Sequence, residues 1–444
     1  MTKRKNNSPT VLLDMMPSDV EAIPRWFGIL TDEQFDRVCC GSIVSVIVDG
    51  MVDGVSVPLS TVRTLIVAMR DRYRRMNFGY AGTKRIDYAK LLGRPERVIP
   101  DGKLKEAIKG KGIVITGAGG SIGSEIALIC ALNNPERLIL IERSECALFE
   151  VHRKIIELSP GVNVRACLHD VTRADDTMRL FDGFGHDVDI VFHASAYKHV
   201  PMLEAHPTEA IRNNVGGTVS VLQASSQFAI EAGRVILVST DKAASPSSVM
   251  GATKKIAEWL IRERWDRPGP YCSFVRFGNV LGSSGSVLDI WEKQLMDGQK
   301  PTITDRKMTR YFMTIPEAAA MVIRTSTMDE GGYVLDMGKP INIERLCKRF
   351  ISEMVRLKRI PRIPQTVTVG AREGEKRHEI LVDEGKLVPS GTQWIDRLKL
   401  PPLDNMAKVL AGQWNRGLKP EKTYAETEQA IEKMIEKKLR IMAA

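Results

Sequence analysis

Thr240, Asp241 and Lys242 follow a short apolar run, Val235 to Ser239, and set a hydroxyl, a carboxylate and an amine side by side. An acid and a base this close can take a proton from one atom of a substrate and give one to another. Met250 and Lys254 come next, four residues apart, a spacing that puts both side chains on one face of a helix. A thioether accepts no proton at neutral pH, so either such a site is catalytically dead or its proton work falls to Asp241 and Lys242. By composition alone, a Thr-Asp-Lys loop reads more readily as a solvated turn.

A second constellation lies upstream. The run Ile113 to Thr116 leads into Gly117-Ala118-Gly119-Gly120-Ser121-Ile122-Gly123, and a helical pattern follows. Glycines at 117, 120 and 123 permit a tight turn, and the backbone amides around Ser121 and Ile122 can approach a pyrophosphate at the helix N-terminus. Glu142 ends the next apolar run about 20 residues on, where a carboxylate accepts hydrogen bonds from an adenosine ribose and repels a 2′-phosphate. This favours NAD over NADP, although Arg143 beside it could pair with that phosphate. Asp170 and Val171, after the third run, are placed to meet the adenine; a solvated loop aspartate is the competing reading.

Both constellations need rigid elements behind them. From Gly112 short apolar runs alternate with helical stretches: Ile113 to Thr116, Leu138 to Ile141, Asn163 to Cys167, Ile190 to His193, Val235 to Ser239, Ser273 to Phe277 and Tyr333 to Leu335. Such alternation predicts an α/β fold, a doubly wound parallel sheet of Rossmann type whose ligands lie at the carboxyl ends of the strands. The expected organisation is an N-terminal extension (1–85), a linker (86–111), a Rossmann domain (112–281), a smaller substrate-binding lobe (282–400) and a helical tail (401–444). A strand near 332–338 should return to the sheet. Within the extension, Ile43 to Val48 reads as a buried strand and Thr61 to Arg75 as a basic amphipathic helix.

Composition narrows the function classes. Hydrophobic residues make up 43% and charged residues 27%, enough for a globular core, and no uninterrupted apolar stretch approaches a membrane span. The polar N-terminus lacks the features of a secretory signal, so a cytoplasmic protein is expected. The seven cysteines are scattered and the seven histidines lack ligand spacing, so neither disulfides nor a metal are expected. The net charge of +10 is spread along the chain without interleaved aromatics, which argues against nucleic acid and suits an anionic small substrate.

Eight ordered blocks carry a family resemblance, from about Leu91 to Glu379. They include Leu91-Leu92-Gly93-Arg94-Pro95, the glycine loop with Ser124-Glu125, and Glu142 followed by Ser144-Glu145. Further on come His193-Ala194-Ser195-Ala196-Tyr197-Lys198-His199-Val200-Pro201, Ser239 to Lys242 with Met250 to Lys254, Arg276 to Ser283, Met308 to Thr314, and Arg372 to Lys376. The chain resembles the bacterial nucleotide-sugar 4,6-dehydratases of polysaccharide biosynthesis, extended short-chain dehydrogenases/reductases, in the branch with methionine where others carry the catalytic tyrosine.

That resemblance implies dehydration of UDP-N-acetylglucosamine to a 4-keto-6-deoxy sugar with bound NAD. Lys242 would take the C5 proton, Asp241 would protonate the departing C6 hydroxyl, Thr240 would polarise the C4 oxygen and Lys254 would hold the nicotinamide ribose. It further implies that Ala194 and Ala196 meet the cofactor, that Lys198 and His199 sit near the sugar, and that Asn279, Arg310 and Arg372 bind the diphosphate. Retention at C5 is the leaning of the methionine branch, and a homo-oligomer is expected. A 4-epimerase and a non-catalytic NAD-binding regulator stay open as alternatives. Larger members carry membrane helices and a preceding domain; this sequence shows no span, and residues 1–85 read either as a shortened relic of that domain or as an oligomerisation element.

Overall fold

The computed structural model describes residues 86–443, apart from 186, 266, 372–373 and 416–419, together with the strand pair Met51–Val52 and Val55–Ser56. That antiparallel pair belongs to a compact unit of its own, Met1–Arg85. The strand expected at Ile43 to Val48 and the helix expected at Thr61 to Arg75 lie outside the described residues, as do Cys39, Cys40 and Arg372.

In the second unit, Ile86–Ala444, nine strands form one sheet. They are β1 (Gly112–Thr116), β2 (Arg137–Glu142), β3 (Val164–Leu168), β4 (Val188–His193), β5 (Ala229–Val238), β6 (Tyr271–Arg276), β7 (Gly331–Leu335), β8 (Lys386–Thr392) and β9 (Ile395–Lys399). The order across the sheet is 3-2-1-4-5-6-7-9-8, with β1 to β7 parallel and β9 and β8 antiparallel. The direction of winding reverses between β1 and β4, the place where a doubly wound sheet opens a crevice.

The helices that matter for the crevice are α1 (Ser121–Leu132), α2 (Glu145–Leu158), α3 (Ala174–Asp182), α4 (Gly217–Phe228), α5 (Val249–Arg262), α6 (Ile315–Thr325) and α7 (Ile343–Arg356). α1 packs against α2 and α6, while α4 packs against α3 and α5. Covered on both faces, β1 is buried at every residue and reads as an unbroken apolar run. The larger core joins β-strand residues to Ile256, Leu260 and Phe181, and the smaller one gathers Trp291, Phe350, Leu346 and Leu91.

Two expectations change. Residues 86–111, expected as a linker, carry the helices Tyr88–Leu92 and Asp101–Ile108, because Leu91 and Leu92 are buried in the smaller core. Residues 386–399, expected in the substrate lobe, form β8 and β9 and extend the main sheet, where Ile395 and Leu398 are buried against β7. The charged tail also has a place: Leu410, Trp414 and Ile431 of helices Asn405–Asn415 and Pro420–Ala443 pack in the core beside α5. No described helix is long and apolar enough to cross a membrane.

Candidate active site

At the carboxyl end of β1 the chain turns through Gly117 to Gly120 into α1. An added Cβ on Gly123 would fall 2.1 Å from the Gly117 carbonyl oxygen, so only glycine lets the first turn of α1 close on this loop. The result is a cradle of backbone amides at a helix N-terminus, the arrangement that binds phosphate. Glu142, at the end of β2, accepts hydrogen bonds from Gly119 N (3.1 Å), Arg143 N (2.9 Å) and Ser144 N (3.0 Å). Its charge is thereby fixed at the rim of the cradle. Arg143 turns aside, donating to Asn213 Oδ1 at 3.1 Å and stacking on the Tyr197 ring at 4.4 Å.

β5 delivers the second half of the site. Thr240 caps the short turn Asp241–Ala243, and its Oγ1 donates to Asp241 Oδ1 at 3.0 Å. Lys242 Nζ donates to the same Oδ1 at 3.0 Å and lies 3.4 Å from Asn279 Oδ1. An added Cβ on Gly251 would stand 2.5 Å from the Lys242 carbonyl oxygen. Glycine there lets the start of α5 press against the turn, which brings Met250 and Lys254 to the same wall.

The two halves line one cleft of about 770 Å³. Its walls hold Gly117, Gly120, Ser121, Ile122, Gly123, Glu142, Arg143, Asp170, Val171, Ala194 and Ala196 on the glycine-loop side. Thr240, Lys242, Met250, Lys254, Asn279, Arg310, Lys198 and His199 line the remainder. Asp241 differs from the expectation that it touches the sugar: it is fully buried behind Thr240 and Lys242, with Oδ2 making no hydrogen bond. Asn279 stands beside Lys242 on the cleft wall.

Electrostatics separate the groups. Burial works against the Lys242 ammonium, but Asp241 and Glu379 outweigh it and hold its pKa above the ordinary lysine value. Lys254 goes the other way: burial lowers it to about 8, with Glu258 opposing. Burial lowers Lys198 as well; its Nζ crosses the cleft to Ser284 O at 2.8 Å. Asp170 is opposed by burial, yet the Thr172 amide and Arg143 keep it below the usual carboxylate range.

Residues 113–393 match the polysaccharide biosynthesis protein family. The chain belongs to that family. Capsular polysaccharide biosynthesis protein CapD of Staphylococcus aureus is 38% identical over 317 residues, covering 69% of this chain and 51% of CapD. The chain thus spans about half the length of that curated relative. A UDP-N-acetylglucosamine 4,6-dehydratase (inverting) of Campylobacter jejuni is 31% identical over 278 residues, covering 62% of this chain and 78% of the enzyme. Among solved structures, Pen from Bacillus thuringiensis superposes with a TM-score of 0.56 at 32% identity, covering 62% of this chain and 83% of Pen.

Several residues around the site escape a reading of spacing. Asn214 accepts from Tyr197 N (2.8 Å) and donates to Tyr197 O (3.1 Å) and Thr253 Oγ1 (3.0 Å), tying the cleft wall to α5 from a π-helical turn, Ile211–Gly216. Arg276, at the end of β6, is completely buried and forks onto Glu258 at 2.8 and 2.6 Å while reaching Asp383 at 3.2 Å. Lys255 holds the other Asp383 oxygen at 2.8 Å. These groups anchor α5 from behind. Their charge alternation was visible in the sequence only as scattered ions, since their partners lie far apart along the chain. Among the described residues no cluster of three or more metal-ligating side chains occurs.

Proposed function

We propose that the chain dehydrates UDP-N-acetylglucosamine to a UDP-4-keto-6-deoxy-N-acetylhexosamine for bacterial surface polysaccharide, using a bound nicotinamide cofactor. The observation that carries the reading is Thr240, Asp241 and Lys242 in one hydrogen-bonded set, sharing a cleft with a phosphate-binding glycine loop. The residues fit NAD: the amides at the start of α1, around Ser121 and Ile122, suit the pyrophosphate, Glu142 the adenosine ribose and Lys254 the nicotinamide ribose. The fixed Glu142 carboxylate and the averted Arg143 favour NAD over NADP.

Bound NAD supplies the hydride acceptor for C4 and, at the end, the hydride donor for C6. The protein handles the protons. Thr240 passes the C4 hydroxyl proton to the Asp241 carboxylate, to which its own hydroxyl is already bonded. Lys242, in the minor fraction of molecules that hold it neutral against the pull of Asp241 and Glu379, lifts the C5 proton, made acidic by the new ketone. Asp241 returns its proton by way of Thr240 or Lys242 to the C6 hydroxyl, which leaves as water. Lys242 then protonates C5, and both residues regain their starting states. Met250 fills the tyrosine position with an apolar wall that takes no proton.

Purified protein incubated with UDP-N-acetylglucosamine in deuterated water should yield a product lighter by one water and carrying deuterium at C5, read by mass spectrometry and NMR. A 4-epimerase would return an isomer of unchanged mass without that label. Folded protein that binds NAD and converts no UDP-sugar would refute both enzyme readings.

A further inference from the structure

One buried carboxylate on the cleft wall has no part in the scheme above. Glu379 is 7% exposed and lines the cleft beside Lys242. Its Oε1 stands 3.8 Å from Lys242 Nζ, and its Oε2 lies 3.6 Å from Lys376 Nζ with no hydrogen bond of its own. Lys376 is held in turn by the carbonyl oxygens of Ala244, at 3.2 Å, and Ser245, at 2.5 Å. Asp241, Lys242, Glu379 and Lys376 therefore form a row of alternating charges that runs under the turn at the end of β5.

We propose that Glu379 is a positioning residue that sets the proton affinity of Lys242 and holds its ammonium toward the cleft. This rests on the dehydratase reading for its catalytic meaning, though not for its electrostatics. The charged groups facing Lys242 come from three elements: Asp241 from its own turn, Glu379 from the segment after Lys376, and Arg310 from the strand Thr309–Arg310. The two carboxylates favour the ammonium and the guanidinium opposes it. Asp241 gains and loses a proton during turnover, so its hold on Lys242 changes from step to step. Glu379 supplies a constant share. Once neutral, a base of higher proton affinity takes the C5 proton more readily and holds it for return to the same carbon.

The test is the pH dependence of Lys242 acetylation by acetic anhydride, followed by peptide mass spectrometry on the full chain, alongside kcat against pH with UDP-N-acetylglucosamine. Removing a carboxylate at this distance should lower the Lys242 labelling midpoint by about 1–3 pH units in Glu379→Gln. The acid limb of kcat should move down with it. Glu379→Asp keeps the charge one methylene further away and should give a smaller fall. An identical midpoint in the parent and both variants overturns the proposal, and if Glu379→Gln fails to fold, an unshifted Glu379→Asp overturns it alone. A shifted midpoint in a protein that dehydrates no UDP-sugar keeps the charge role and removes the dehydratase reading.

Discussion

The strand ends of β1 and β5 meet in one cleft but are built on opposite plans. The β1 end is made of backbone: a glycine turn from Gly117 to Gly120 that closes on itself and opens into the first amides of α1. The β5 end is made of side chains, and each depends on another, with Thr240 and Lys242 sharing one oxygen of Asp241. A backbone site tolerates changes around it as long as its turn closes. A site of coupled side chains is undone by losing one atom, because the remaining buried charge is left without its partner.

The largest effect should appear at the β5 end. Lys242→Ala or Asp241→Asn should each lower kcat by about 10²–10⁴-fold, the usual share of a positioned acid or base, while titration calorimetry shows NAD affinity essentially unchanged. Unchanged turnover in both variants would remove the assigned roles. The β1 end should fail the other way. Gly123→Val drives a branched side chain into the Gly117 carbonyl and should cost about 1–3 kcal/mol of stability, with loss of NAD binding as the first symptom. Full NAD affinity with a parental melting temperature would mean that the loop closes differently.

A smaller effect joins the two halves. His193, at the end of β4 between β1 and β5, is buried between Thr116 Oγ1 at 2.7 Å and Thr218 Oγ1 at 3.1 Å. Burial, with Lys254 adding to it, pushes its pKa down to about 3, so it is neutral in the folded chain. The unfolded chain binds the extra proton between the ordinary value of 6.5 and that lower one. Stability is therefore intact above 6.5 and declines as pH falls through this window, by up to about 1.4 kcal/mol per pH unit. His193→Gln should flatten that slope in melting curves taken across the window. The same acid slope in variant and parent would clear His193 of the effect.

Legibility followed the same division. The glycine loop, Glu142 and the alternation of strands and helices could be read directly, because glycine spacing and apolar periodicity are local properties. Thr240, Lys242, Met250 and Lys254 could be singled out by type and by their place after a strand. The burial of Asp241 could not, since nothing in Thr-Asp-Lys says which of three neighbours faces inward. β8 and β9 were missed because Lys386 to Lys399 is half polar and exposed or half-buried along most of its length, with only Ile395 and Leu398 buried. The helices at Tyr88–Leu92 and Asp101–Ile108 were hidden by the glycines and prolines between them.

By itself the sequence determined where the glycine loop turns into α1 and which runs form the parallel strands β1 to β7. Each of these depends on neighbours within a few residues. Tertiary structure alone decided what surrounds the Asp241–Lys242 pair: Glu379 and Arg310 around Lys242, Asn279 beside it, and the Arg276, Glu258 and Asp383 network behind α5. Those residues lie far apart along the chain. Their charges act on one another only over a few ångströms in a buried, poorly screened place, and packing is what brings them that close.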